Sequence, residues 1–123
     1  MRIKASVWAE EVERFAPESP ARIAVQRERE GLERGGIERS LLLRCDAAGA
    51  GGTRLVGLLK VYVPIGEGPP SSRPFGLVFA PAIDLSGRLY LELVAFGERH
   101  PRVGRRSVYE RAHKRLHGRY PDQ

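Results

Sequence analysis

The chain has 123 residues, enough for one domain that buries a core without disulfides or a structural metal. Its formal charge of +6 and pI near 10.1 favour a polyanionic partner, because each Lys or Arg that neutralises a phosphate releases condensed counterions. The single cysteine, Cys45, excludes an intramolecular disulfide framework and fits a reducing compartment; with no apolar run of signal-peptide or membrane-spanning length, a cytoplasmic protein with no membrane partner is expected.

Taken in chain order, residues 2–8 alternate, with Ile3, Ala5 and Val7 on one face, and predict a half-buried N-terminal strand. Residues 9–16 change period: Val12, Phe15 and Ala16 share a helical face, acids load the first turn, and Pro17 ends the helix. Ser19-Pro20 restarts a helix, serine capping the first free amides and proline tolerated at the first helical position. That helix runs to about Glu33, with Ala21, Ile23, Ala24, Val25 and Leu32 as its apolar positions. Two helices joined by a short proline-containing turn predict a hairpin packed on one face of a sheet. Gly35-Gly36 closes it.

Strands are expected at 37–45, 54–63, 75–80 and 88–96. Between them lie a glycine-rich turn at 46–53, a Gly/Pro-rich connection at 64–74 and a turn around Asp84–Gly87. The glycines of 46–53 run into an apolar strand rather than into Gly-Lys-Ser/Thr and a helix, which excludes a P-loop. A short C-terminal helix capped by Ser107 directs Val108, Ala112 and Leu116 at the sheet, with Tyr109 and His113 on the adjacent face. The expected fold is α+β, a single domain over 1–123: an N-terminal strand and a helical hairpin on a mainly antiparallel sheet, followed by the C-terminal helix.

The charge is concentrated at the end of the chain. From Arg99 to Arg119 there are eight Lys or Arg, three histidines and one acid, Glu110, an anion-binding surface in outline. Lys60 and Tyr62, two apart in a strand, share one sheet face. His113 and His117 have the spacing of a helical metal pair, but no neighbouring Glu or third ligand completes one, so neither metal nor cofactor is expected. Cys45 reads as a small buried strand residue.

The run Val94-Ala95-Phe96-Gly97-Glu98-Arg99, then a loop, then Ser107-Val108-Tyr109-Glu110-Arg111-Ala112-His113-Lys114-Arg115-Leu116, resembles the RelE branch of the RelE/ParE superfamily, toxins of bacterial toxin–antitoxin modules. In that family an apolar last strand enters Gly-Lys-Arg, and Val-Tyr, Ala, Lys-Arg and Leu or Ile follow. Phe75-Gly76-Leu77-Val78-Phe79 is similar to the family's aromatic-Arg-Leu-Val-Tyr strand. The resemblance implies a RelE-like fold and a ribosome-dependent endoribonuclease that cuts messenger RNA in the decoding site without metal. It also implies an acidic antitoxin protein as partner, wrapping the basic surface by coupled folding.

Matched position by position, Lys60, Arg99 and Tyr109 are the implied catalytic residues. Tyr62, Arg73, Arg105, Arg106, His113, Lys114 and Arg115 form the expected RNA-binding surround. RNA carries its own nucleophile, so such a site needs only to align the 2′-hydroxyl, move protons and stabilise charge. Lys60 or Tyr62 would take the 2′ proton, Arg99 with Arg73 as helper would hold the phosphate oxygens, and Tyr109 would serve the leaving oxygen or stack on a base. The chain departs from the family at Tyr62, where a second lysine is expected, at Gly76, where an arginine is, and at Glu98, where a lysine is. Two alternatives share the basic surface: a ParE-like toxin that inhibits gyrase, and a non-catalytic nucleic-acid-binding module.

Overall fold

A computed structural model describes residues 1–35, 42–65 and 73–123. It is α+β: the described residues form three α-helices, α1 (Ala5–Glu11), α2 (Pro20–Gly35) and α3 (Val108–His117), and four strands, β1 (Leu43–Arg44), β2 (Leu59–Val63), β3 (Phe75–Ile83) and β4 (Leu89–Glu98). The strands form one sheet in the order β1-β2-β3-β4, with every neighbour antiparallel. No helix among the described residues is long and apolar enough to cross a membrane.

The expected N-terminal strand is corrected to a single residue of pairing. Arg2 bridges Glu92 in parallel, donating its N–H to Leu91 O at 2.7 Å and accepting from Leu93 N at 3.0 Å. From Ala5 the chain is helical. The helix buries Val7, Trp8 and Glu11, and Val12 follows just beyond its end. That is an i, i+4 stripe completed by a carboxylate, so a count of apolar residues alone misses it. The helix expected over 9–16 therefore starts earlier and ends at Glu11.

The second helix begins where its cap predicts, with Ser19 Oγ accepting from Arg22 N at 3.2 Å. Ala21, Ala24, Val25 and Leu32 are buried, whereas Ile23 is 42% exposed. Both N-terminal helices pack on the sheet face that carries Val61, Val63, Leu77, Phe79, Leu93 and Phe96. Edge-to-face Phe15 contacts to Phe75 and Phe96, at 5.8 and 5.4 Å between centroids, anchor the turn after α1.

Strand β2 starts later than its apolar composition suggests. Gly57, at φ 80°, closes a turn in which Leu58 N donates to Leu55 O at 3.1 Å. Of the strand expected at 37–45, Leu43–Arg44 is observed, and positions 37–41 lie outside the described residues. Strand β3 extends through Pro81, beyond the end of β2, where a missing ladder donor is tolerated.

A bulge makes the opposite sheet face. Val78 pairs with Ala95 and Phe79 with Leu93, so Val94 is the extra residue of β4. Val94 and Ala95 consequently both reach the cluster formed with Cys45, Leu55, Leu58, Val78, Val108 and Ala112. Helix α3 covers this face, framed by a reciprocal capping box between Ser107 and Glu110 and by Gly118 in the left-handed conformation at φ 80°. Leu116 is not part of the buried stripe. It is 45% exposed, and His113 takes the buried place beside Ala112.

Candidate active site

The register of β2 places Lys60 and Tyr62 on the α3 side of the sheet, with Val61 and Val63 buried on the other. Arg99 follows β4 directly, its N–H donating to Pro74 O at 2.7 Å. Its side chain turns back across Gly76, where an added Cβ would lie 3.5 Å from Arg99 Cγ. The guanidinium then rests on the Tyr62 ring, 3.6 Å from Cζ to the centroid. Arg99 Nη1 donates to Arg73 O at 2.8 Å and Nε to Tyr109 Oη at 3.3 Å. Lys60 Nζ lies 5.2 Å from the Tyr109 ring centroid and 5.6 Å from that of Tyr62. Three separate elements thus bring Lys60, Arg99 and Tyr109 together, with Tyr62 as the ring between two cations.

Lys60, Arg99 and Tyr109 open on a cleft of about 560 Å³ whose other walls are the 46–55 connection and the loop entering α3. The phenol has a fixed role within it. Arg99 Nε can only donate, so Tyr109 Oη accepts and keeps its own hydrogen for another acceptor. Lys60 contributes up to three donors on a flexible stem, and Arg99 a planar fork. Together they suit an anionic ligand with one oxygen to protonate.

Sequence reasoning did not single out three other lining residues: Asp46, Thr53 and His100. His100 follows Arg99 directly in the chain, which is a signal in hindsight. Asp46 and Thr53 bound the glycine-rich turn, and only the folding of that turn over β2 brings them here.

The remaining expected residues separate from the cleft. Arg73 contributes its carbonyl; its guanidinium turns to Tyr62 O at 3.4 Å, and Nε is buried with no partner among the described residues. Its charge acts on Glu28 of α2, whose carboxyl burial pushes above the usual range while Arg73 works the other way. Arg105 pairs with Glu98 at 3.3 Å. Arg106 pairs with Glu110 at 3.0 Å and Asp122 at 2.9 Å, and with Lys114 it faces the Tyr120 ring, at 4.0 and 4.6 Å. Arg115 donates to Val94 O at 2.7 Å and pairs with Glu10 and Glu11. His113 is buried and accepts from the Arg54 backbone N–H at 3.0 Å. No group of three or more His, Cys, Asp or Glu able to hold a metal occurs among the described residues. Cys45 is buried, and that burial pushes its thiol up to about 11, away from nucleophilic use near neutral pH.

Compared with protein-family models, with curated proteins and with solved structures, the chain gives no match in any of the three.

Proposed function

We propose that the chain is a RelE-like toxin, an endoribonuclease that cleaves messenger RNA on the ribosome without metal and is held by an acidic antitoxin. The observation that carries this reading is the convergence of Lys60, Arg99 and Tyr109, from β2, the end of β4 and the first turn of α3, around one open cleft. In the reaction, the 2′ oxygen attacks the adjacent phosphorus and the bond to the 5′ oxygen breaks. Lys60, in its amine form, takes the 2′ proton. Arg99 stabilises the charge that grows on the non-bridging oxygens. Tyr109 gives its hydroxyl proton to the departing 5′ oxygen, leaving a 2′,3′-cyclic phosphate and a 5′-hydroxyl. Tyr62, where the family has a second lysine, serves as the aromatic rest for Arg99.

A second reading has its own support. Gly76 stands where the family has an arginine, with the stem of Arg99 lying over it, and one cation of the family pattern is therefore absent, as suits a ParE-like gyrase inhibitor or a non-catalytic basic module. Inducible expression in a bacterial host, with mapping of 5′-hydroxyl ends on cellular messages, separates the readings. Arg99→Ala and Tyr109→Phe are each expected to lower cleavage about 100-fold and to relieve growth arrest. Arrest that persists in both variants rejects the nuclease.

A further inference from the structure

We propose that His113 is a positioning residue: neutral, it locks the 46–55 wall of the cleft onto α3, and protonated, it releases that wall. The functional consequence rests on the cleft being the active site, but the lock itself does not. The wall is a tight turn, with Ala48 bridged to Arg54 and Gly49 N donating to Thr53 O at 3.0 Å. It supplies Asp46, Gly49, Gly51, Thr53 and Leu55 to the cleft.

Leu55 packs with Val108 and Ala112 of helix α3, and the polar attachment of the turn to that helix runs through the backbone of Arg54. Arg54 N–H donates to His113 Nδ1 at 3.0 Å, and Arg54 O lies 3.1 Å from His117 Nε2. Spacing of four sets the two imidazoles one turn apart, 4.4 Å between centroids and tilted by 48°. Both polar groups of Arg54 are thus met by side chains, as a neighbouring strand would meet them.

The two histidines are not equivalent. His117 bonds a carbonyl and must donate, which the imidazolium does as well as the Nε2–H tautomer. His113 accepts from an N–H, so its proton sits on Nε2; a second proton on Nδ1 would set donor against donor. The groups that act on His113 are Arg54 on the turn, His117 on its own helix and Arg119 beyond it, all able to carry positive charge. Burial first, and these charges after it, hold His113 below its ordinary value of 6.5. A depressed value makes the attachment complete above 6.5 and lost as pH falls through His113's own titration.

The test uses the full chain and the exchange protection of the Arg54 amide, corrected for intrinsic chemistry, as a function of pH. Protection should fall about tenfold per pH unit from 6.5 down to the His113 titration and be lost below it. His113→Asn places a carboxamide oxygen near the position of Nδ1 and cannot titrate, so its protection should stay within about twofold over the same range. In a cleavage assay the acid limb of the pH profile should move lower in that variant. Constant protection in the unsubstituted chain down to acid unfolding overturns the proposal, as does an equal loss in His113→Asn. If that variant does not fold, the NMR titration of the His113 ring in the unsubstituted chain decides: midpoints of ring and amide that differ by more than about one pH unit overturn the lock. Absence of any cleavage would reject the nuclease and leave the exchange result standing.

Discussion

Two cationic places in this molecule treat their charge in opposite ways. At the junction of α1, α3 and the outer edge of β4, cations are neutralised. Arg111 forks onto Glu11 at 2.9 and 2.8 Å, Arg115 reaches Glu11 and Glu10 at 3.1 and 2.7 Å, and Glu11 is 2% exposed. Burial works against the Arg111 charge, but the Glu11 bond and carboxylate outweigh it and hold the guanidinium above its ordinary value. These groups also finish the strand edge: Glu11 accepts from Phe96 N, Arg14 donates to Phe96 O and Arg115 to Val94 O. In the cleft, Arg99 and Lys60 lie instead against tyrosine rings, which attract a cation without cancelling its charge. One buried carboxylate thus turns part of a basic tail into structure, while aromatic support leaves the charges of Arg99 and Lys60 uncancelled.

The comparison breaks first at Glu11. Glu11→Ala leaves two arginines and the Phe96 N–H without their shared acceptor, and urea unfolding should show a loss of about 3 kcal/mol. Arg99→Ala should cost under about 1 kcal/mol by the same measurement, because its cation–π contact with Tyr62 and its hydrogen bonds to Arg73 O and Tyr109 Oη are part-exposed. Equal losses at the two sites would contradict the division between structure and function.

The second cluster, under α3, is probed by Cys45. Its folded value of about 11 stands above the ordinary 9.0. Stability should therefore be steady below pH 9 and fall through the folded value by on the order of 1–2 kcal/mol. Cys45→Ala should lose that step, which the difference between the two pH–stability curves reads. The smallest effect belongs to Arg105→Ala. Its ion pair with Glu98 is exposed, and the loss should stay within about 0.5 kcal/mol.

Local chemistry made much of the fold legible. Ser19 and Ser107 mark helix starts because their hydroxyls accept the first free amides wherever they stand. Asp84 and Gly87 mark the β3–β4 turn for a similar reason: Asp84 Oδ1 takes the N–H groups of Ser86 and Arg88, each at 2.9 Å, and Gly87 adopts φ 84°. The first turn of α1 reads as a strand, because Ile3, Ala5 and Val7 happen to alternate while the buried face of the helix includes a carboxylate whose partners lie about a hundred residues away. Leu116 was misplaced because α3 turns two histidines and the arginine stems, rather than an apolar stripe alone, toward its neighbours.

The sequence by itself determined the α+β class, the position of most elements and the shared face of Lys60 and Tyr62, since strand alternation and capping are short-range properties. Only the tertiary structure decided which cations reach the cleft. Charge is counted along the chain, but whether it is cancelled depends on what folds against it. Glu11 takes up Arg111 and Arg115, Glu110 and Asp122 take up Arg106, and Arg54 engages His113. Arg99 passes over Gly76, one of the positions at which the chain departs from the pattern it resembles, to reach Tyr62 and Tyr109.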